Sequence, residues 1–347
     1  MNTPSRADSH RPRICQAVAA LLALGSFCFA PHATRAATDP AKVQGALSCG
    51  ECHKSEVEAW KSTHHFETLT TMHRKPKATE IAAKLGIRRI KDVKGAAICI
   101  GCHYTVNVSE GNPEINAGIS CESCHGAARD WIKVHSDFGG SGAKKESETP
   151  AHRTERIAKS IAAGQVRPTD TYSVAANCFS CHTVPQEDIV NAGHPAGSDF
   201  DLLAWSQGEV RHNFTADLKK NANPRQEHKR MLFILGRVLD ADYSLRAAAK
   251  ATKDGPFATA MAQRVKTAIA NLQKVQQATG SNELKEIIAA ASSVETKINN
   301  GAALAAAAEK ISGIARAFAA ANDGSKFASV DALLPAPDKN KGKAFQP

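Results

Sequence analysis

The sequence predicts a mainly α-helical protein, in which a motif-rich region with little regular sheet precedes an antiparallel helical bundle. Three observations support this fold class. Four Cys-x-x-Cys-His motifs fall between residues 49 and 182, joined by segments rich in Gly, Asn and Ser. Aromatic residues make up only 5% of the chain, so the bulk that usually fills a core is scarce. After Pro224, apolar residues recur at helical spacing.

The first 36 residues have the composition of a secretory signal peptide. A basic stretch precedes an apolar run from Ile14 to Ala30, and small residues suit cleavage after Ala36. The apolar run is shorter than the ~20 residues that a membrane span needs, which disfavours an uncleaved anchor. We therefore expect a mature chain that begins at residue 37, is exported to the periplasm and contains no transmembrane segment.

Eight of the ten cysteines lie beyond the signal peptide, and all eight fall in the four motifs. Two thiols at this spacing add across the vinyl groups of one haem and the next imidazole binds iron, so the pattern is the attachment signature of haem c. A zinc site or a redox-active cysteine pair does not require a histidine after each second cysteine. The motifs are Cys49-Gly50-Glu51-Cys52-His53, Cys99-Ile100-Gly101-Cys102-His103, Cys121-Glu122-Ser123-Cys124-His125 and Cys178-Phe179-Ser180-Cys181-His182.

These motifs predict four covalently bound haem c groups in a multihaem cytochrome c domain over residues 37–223. The macrocycles would replace much of the missing aromatic core. His103 and Cys121 are only 18 positions apart, so we expect the second and third haems to be neighbours.

Each haem iron has a second axial position, and the ligand there tunes potential and reactivity. Apart from the four motif histidines, eight remain after the signal peptide, enough for four distal ligands with four to spare. They are His64, His65, His73, His135, His152, His194, His212 and His228. Of the methionines, only Met72 lies near the motifs, so methionine ligation is a minor alternative.

Two runs of sequence resemble the tetrahaem cytochrome c-554 family. They are Cys49 to His65, CGECHKSEVEAWKSTHH, and Gly118 to Gly126, GISCESCHG. The family consists of electron carriers of nitrifying bacteria, and the resemblance covers residues 45 to 185. It implies that His135 caps the first haem and that His65 caps the third.

In that family the second haem can lack a distal side-chain ligand, and a histidine downstream of the fourth motif caps the fourth haem. Here two candidates follow the fourth motif, His194 and His212. We assign His212 to the fourth haem and His194 to the second, an interpretation that closes the second iron.

Residues 224–323 show four helical stretches separated by Asp254-Gly255-Pro256, Gly280-Ser281-Asn282 and Asn299-Asn300-Gly301. Short connections make neighbouring helices antiparallel, so a small up-and-down bundle is expected. Its role is that of a scaffold over the haem domain, or of a module for homo-oligomerisation or docking into a larger complex. Residues 324–347 show little periodicity, which predicts a mobile tail.

The function predicted from these features is electron transfer between periplasmic redox proteins through closely packed, mostly bis-histidine haems. The chain carries a net charge of +10, which falls to +7 without the four Arg and one Asp of residues 1–36. This charge suits haem propionates and an acidic redox partner better than nucleic acid. The alternative is an enzyme that reduces a small nitrogen or sulfur species such as nitric oxide at one open iron, with Tyr104 and Arg129 as pocket residues.

Overall fold

The computed structural model describes residue 1 and residues 38–347, except 215, 216 and 218. The predicted signal peptide lies outside the described residues. From residue 38 onward the described chain belongs to one compact unit. None of the helices in these residues has the length and apolar character needed to cross a membrane.

The first part of this unit consists of short helices that carry or flank the four motifs. Most are five to nine residues long, too short to be stable in isolation, so they depend on packing. They are α1 (Ala46–Gly50), α2 (Lys54–Lys61), α3 (His64–Thr71), α4 (Pro76–Lys84), α5 (Ile90–Gly95), α6 (Ala97–His103), α7 (Cys121–His125), α8 (Pro150–Ala162), α9 (Thr171–His182), α10 (Glu187–Asn191) and α11 (Leu202–Ser206).

One antiparallel hairpin, β1 (Thr105–Ser109) with β2 (Asn112–Ala117), is the sheet found in the described residues. Its turn places Glu110 and Gly111 at positive φ, 50° and 80°. The hairpin joins the second motif to the third, because α6 ends at His103 and α7 begins at Cys121. The prediction of a mainly α-helical fold with little regular sheet is confirmed.

Four longer helices follow, at positions close to those expected. They are α12 (Gln226–Ala248), α13 (Pro256–Thr279), α14 (Asn282–Ser292) and α15 (Gly301–Ala321). Pro256 opens α13, where the missing N–H costs no helical hydrogen bond. Gly280 ends the same helix in the left-handed conformation, and the Ser281 hydroxyl caps α14. Consecutive helices pack against each other and α15 returns to α12, which gives the four-helix bundle.

The bundle core continues into the motif region through α9. Phe179, inside the fourth motif, is buried in the same apolar cluster as Leu235, Leu239 and Met261. The hydroxyl of Tyr172 also donates a hydrogen bond of 3.2 Å to Ser312 Oγ on α15. The bundle is therefore fixed directly onto the helix that carries the fourth motif.

The C-terminal segment 324–347, for which the sequence predicts mobility, lies against other parts of the unit. It contains two 3₁₀ segments, Ser325–Leu333 and Pro337–Lys339. Phe327 and Val330 are buried in the bundle core, and Asp331 accepts hydrogen bonds from Arg230 at 2.7 and 2.8 Å. Spacing alone gave no sign of these contacts because the segment binds through a few apolar anchors and backbone groups.

Candidate metal centres

Three of the four motifs occupy the last turn of a helix. His103, His125 and His182 are the final residues of α6, α7 and α9. In a helix, residues three apart share a face, so the two cysteines of each motif lie side by side. In the first motif Cys49 lies in α1, and the next turn is closed by hydrogen bonds of Cys52 N and His53 N to Cys49 O.

Each motif histidine faces a second imidazole from a distant part of the chain. The ring centroids are 6.4 Å apart for His53 and His135, and 6.1 Å apart for His103 and His194. They are 6.1 Å apart for His125 and His212, and 6.2 Å apart for His65 and His182. All eight histidines assigned as iron ligands from the sequence are thus brought together in four pairs.

The spacing within these pairs is nearly constant although their interplanar angles range from 23° to 90°. A metal–imidazole bond is about 2.0 Å long, so two imidazoles on opposite sides of one metal place their centroids about 6 Å apart. Aromatic pairs without a metal spread over centroid distances of about 4.5–7 Å, so the common separation of 6.1–6.4 Å in all four pairs is the feature that a shared metal explains. The four pairs therefore have the separation that one axially ligated iron requires.

The ring pairs match two of the predicted partnerships and exchange the other two. His135 faces His53 and His194 faces His103, as expected. His65 faces His182 of the fourth motif and not His125 of the third, whereas His212 faces His125. The resemblance instead implies that His65 caps the third haem, and the interpretation of the sequence places His212 at the fourth.

The physical reason for the exchange is the position of α3. The hydroxyl of Thr68 on α3 donates a hydrogen bond of 2.8 Å to His103 O, which holds α3 beside the second motif. The Ile119 N–H donates to His65 O, which holds the backbone of α3 against the chain leading to α7. Through these contacts the His65 ring faces the fourth motif, and the loop around His212 faces the third.

Backbone carbonyl groups orient several of the rings. His125 Nδ1 lies 3.0 Å from Val166 O, and His135 Nδ1 lies 2.5 Å from Ile132 O. His194 Nδ1 lies 2.8 Å from Pro195 O, and His212 Nδ1 lies 2.7 Å from Val210 O. An Nδ1–H that donates to a carbonyl leaves Nε2 unprotonated and directed away, the arrangement common in metal-ligating histidines.

Burial favours the neutral form of these imidazoles. It lowers the pKa of both His103 and His182 to about 4. Burial is also the main cause that lowers the pKa of His65, His125 and His135. A neutral imidazole is the form that binds a metal. These five rings are therefore ready to ligate at neutral pH.

The four remaining histidines have other surroundings. His64 Nδ1 lies 2.7 Å from a carboxylate oxygen of Glu209, and His152 Nδ1 lies 2.8 Å from Glu148. His73 Nδ1 lies 3.4 Å from the Tyr104 hydroxyl. His228 is half-buried in the first turn of α12.

The residues around His135 form a support that the sequence did not reveal. Trp131 is buried and contacts the His135 ring edge-on, with centroids 5.2 Å apart. Arg156 donates 2.6 Å hydrogen bonds to both carboxylate oxygens of Glu148 and a third to His135 O. A bidentate Arg–carboxylate pair is directional, so it fixes the loop that carries His135.

A second support surrounds His182 and includes a residue of the bundle. Phe200 stacks on the His182 ring at 4.4 Å, and Trp205 contacts it edge-on at 5.0 Å. Arg264 of α13 is buried, and its Nη1 donates to the carbonyls of His182, Ala196 and Gly197 at 2.7–3.1 Å. The sequence signal for this role is an arginine on the apolar face of a helix.

Buried donors next to the ring pairs also fit a haem. In the described part of the chain, Trp131 Nε1 and Arg264 Nη2 are buried and have no hydrogen-bond partner. One lies beside His135 and the other beside the backbone of His182. A buried N–H without an acceptor is costly, and haem carries propionate carboxylates that accept hydrogen bonds.

Direct contacts connect the motifs in the order one, three, four, two. Glu122 of the third motif accepts hydrogen bonds of 2.9 and 2.7 Å from Gln44 N and Gly45 N, which directly precede the helix of the first motif. Asn177 Nδ2, in the helix of the fourth motif, donates to Ser123 O and Cys124 O at 2.9 and 3.0 Å. Cys181 Sγ lies 3.9 Å from Gly101 O of the second motif. The second and third motifs, which the sequence predicts to be neighbours, are connected through the hairpin between them, where the hydroxyls of Thr105 and Ser123 lie 2.8 Å apart.

Comparison with known proteins agrees with this geometry. Residues 48–126 match the family model described as "Cytochrome c554 and c-prime". A cytochrome c-554 of Nitrosomonas europaea is 30% identical over 116 residues, which are 32% of this chain and 49% of the relative. The chain thus spans about half the length of this curated relative. No solved structure matches significantly. The segment that contains the first three Cys-x-x-Cys-His motifs is thus similar to the cytochrome c554 family.

Proposed function

We propose that the protein is a periplasmic tetrahaem c-type cytochrome that transfers electrons between redox partners through closely packed, bis-histidine haems. The observation that carries this proposal is the set of four imidazole pairs, each with a centroid separation of 6.1–6.4 Å. Haem would supply a one-electron Fe(III)/Fe(II) couple at each site. The chain's own residues hold, orient and bury the four sites.

The residues that would hold each haem are two cysteines and two histidines. The cysteines of the four motifs would form the thioether links, and His53, His103, His125 and His182 would be the proximal ligands. His135, His194, His212 and His65, in the same order, would be the distal ligands. Each distal ligand comes from a different segment, so four iron atoms would cross-link α3, the loop after α7, the loop after α10 and the loop after α11.

The contacts between motifs support a continuous series of sites. The helix of motif one contacts motif three, motif three contacts motif four, and motif four contacts motif two through the residues described above. A series of this kind has two ends, the first and the second site. We propose that the two redox partners, donor and acceptor, use these ends.

The bundle fits best as a scaffold for this series. Phe179 places the fourth motif in the bundle core, and Arg264 donates to the carbonyls of His182 and of Gly197, three residues after His194. These contacts are intramolecular and explain the helices without a second chain. A homo-oligomeric or complex-forming role would require an additional surface. Sedimentation of the exported protein would detect the assembly formed through it.

The pairing disfavours the alternative of an enzyme with an open iron. All four motif imidazoles, including His103 of the second motif, face a second imidazole. Tyr104 is buried with its hydroxyl towards His73, and burial raises its pKa to about 12. Arg129 is exposed and donates to Ala41 O. These two side chains do not converge on one pocket.

The proposal is tested by the intact mass and redox titration of the protein purified from a periplasm that matures haem c. We expect a chain that begins at residue 37, carries four haem masses and accepts four electrons. Fewer haems, or fewer electrons than haems, would contradict the proposal. Replacement of Cys49 and Cys52 by alanine serves as a calibration, since it should remove one haem mass and one electron.

A further inference from the structure

The positive charge of the protein is concentrated in one short segment. Residues 74–94, here called the basic segment, contain eight Lys or Arg and two acidic residues, a net charge of +6. Residues 38–347 together carry +7, so the rest of this part is close to neutral. A local excess of positive charge, and not a uniformly basic chain, therefore has to be explained.

The basic segment presents its charges to solvent. It comprises the end of a 3₁₀ segment, α4, α5 and their connection. Seven of the eight basic side chains are exposed, and Lys94 is half-buried. Lys77 is paired with Glu80 and Arg89 with Asp92, at 3.2 and 2.7 Å. The exposed side chains outside these pairs are Arg74, Lys75, Lys84, Arg88 and Lys91.

Packing places the basic segment at the second site. Ile81 of α4 forms a small apolar cluster with Ile189 and Ala192, and Ile98 of α6 packs against it. Ala192 lies two residues before His194, and Ile98 lies directly before Cys99. The Nζ atoms of Lys77 and Lys84 lie 3.5 and 3.7 Å from the point where a Cβ on Gly193 would stand. The basic segment therefore contacts the segments that carry both histidines of the second pair.

Haem propionates cannot account for this charge. One haem carries two propionates, so even complete pairing would leave the basic segment with a substantial positive charge. Side chains such as Arg88 and Lys91 lie in or after the α4–α5 connection and are exposed. Clustered charge of one sign at a surface raises the association rate of an oppositely charged partner by 10- to 1,000-fold.

We propose that the basic segment is the docking surface for an acidic redox protein at the second site. This inference rests on the proposed electron-transfer function and names the partner's chemistry at one end of the series. A protein fits better than a membrane, because the exposed large apolar side chains of the described residues, such as Leu47, Val108 and Ile161, lie outside the segment. An interfacial membrane anchor needs apolar side chains beside its basic ones.

The test is the affinity of the haem-loaded protein for oxidised plant-type ferredoxin, an acidic redox protein, measured by titration calorimetry at low salt. The variant is Lys84→Gln with Arg88→Gln and Lys91→Gln, which removes three exposed charges. The matched control is Lys266→Gln with Lys274→Gln and Lys285→Gln, three exposed lysines of the bundle. We expect the first variant to weaken binding at least tenfold and to reduce its salt dependence, and the control to change binding less than twofold.

Amine-reactive labelling supplies a second readout, in which ferredoxin should protect Lys84 and Lys91 but not Lys274. Equal effects of the two triple variants, or unchanged binding in both, would overturn the proposal. Tighter binding to anionic vesicles than to ferredoxin would also overturn it, in favour of a membrane surface. Failure of the electron-transfer function would appear separately, as haems that do not titrate in a protein that still binds ferredoxin.

Discussion

The imidazole of His65 faces that of His182, with 6.2 Å between their centroids. His65 lies on a helix shortly after the first motif, whereas His182 belongs to the fourth motif. His65 is on α3 and His182 ends α9. Phe200 and Trp205 pack around the His182 ring, so this pair is held on one side by aromatic side chains. A shared iron would therefore connect two segments that only the folded chain brings together.

Replacement of His65 by alanine should open the fourth iron and leave the other three closed. One iron in four is expected to become high-spin in the ferric state and to bind carbon monoxide when reduced, because no other imidazole faces His182 in the described structure. In the reduced carbon monoxide complex, nuclear Overhauser effects from the opened haem should reach Phe200, which stacks on His182. His64→Ala is the control, since His64 is held by Glu209. An opened haem whose contacts lie around Val166, beside His125, would refute this pairing.

Loss of Arg264 should destabilise the protein strongly. The Arg264→Met variant removes three hydrogen bonds to carbonyl groups and leaves Asp240, whose pKa is raised by burial, without its partner at 2.7 Å. Breaking one side of a buried ion pair costs about 3–5 kcal/mol of unfolding free energy, measured here by urea denaturation.

The Arg264→Met, Asp240→Asn double variant should recover part of that loss, because no unpaired buried charge remains. Arg237→Met is the matched control, as Arg237 pairs with Asp201 in a more exposed position, and it should cost clearly less. Strictly additive losses for Arg264 and Asp240 would show that the two side chains do not interact.

Acid should weaken the ion pair between Arg156 and Glu148 that fixes the loop carrying His135, because it protonates Glu148. The guanidinium of Arg156 lowers the pKa of Glu148 to about 2, well below the value of about 4.3 for an unfolded chain. A lowered carboxyl pKa stabilises the fold above pH ~4.5, and this contribution is lost as the pH falls towards 2.

The unfolding free energy of the wild type should therefore fall between pH 4.5 and 2, and that of Glu148→Gln should fall less over the same window. Chemical denaturation at several pH values measures both curves. Glu155→Gln provides the comparison, as Glu155 is exposed and pairs only with Lys159. Parallel curves for wild type and Glu148→Gln would exclude this linkage.

Removal of the C-terminal residues 336–347 should weaken the third site. Lys341 O accepts a hydrogen bond from Glu209 N, Lys341 N donates to Ala204 O, and Phe345 O accepts from Asn221 Nδ2. These bonds support the segment that carries His212. Loss of residues 336–347 should therefore expose amides 204–214 to hydrogen exchange and allow carbon monoxide to bind one reduced haem.

Lys343→Ala, at an exposed position in the same segment, should behave as the wild type. Unchanged exchange in the truncated protein would mean that residues 336–347 are mobile, as their sequence predicts, and that the His212 loop is stable without them.

Much of the site was predictable because its chemistry is local. Cysteine spacing and the histidine that follows it are consecutive in sequence, so each motif can be recognised by itself. The helices of the bundle were also predictable, since periodic apolar residues such as Leu235, Leu239 and Leu272 define one buried face.

The partnerships of the distal histidines were harder to predict because they depend on long-range packing. Whether His65 reaches the third or the fourth motif depends on how α3 packs, for example through the hydrogen bond of Thr68 to His103 O, which no sequence spacing reveals. The role of Arg264 depends similarly on the approach of α13 to the chain after His182. The C-terminal segment binds through carbonyl and amide groups, which are the same in every sequence.

The central claim is that four irons per chain are each held between two imidazoles. Quantitative electron paramagnetic resonance of the fully oxidised protein tests it most directly. We expect four low-spin ferric irons per chain and no high-spin component. A high-spin signal approaching one iron per chain, or a total of fewer than four irons, would contradict it.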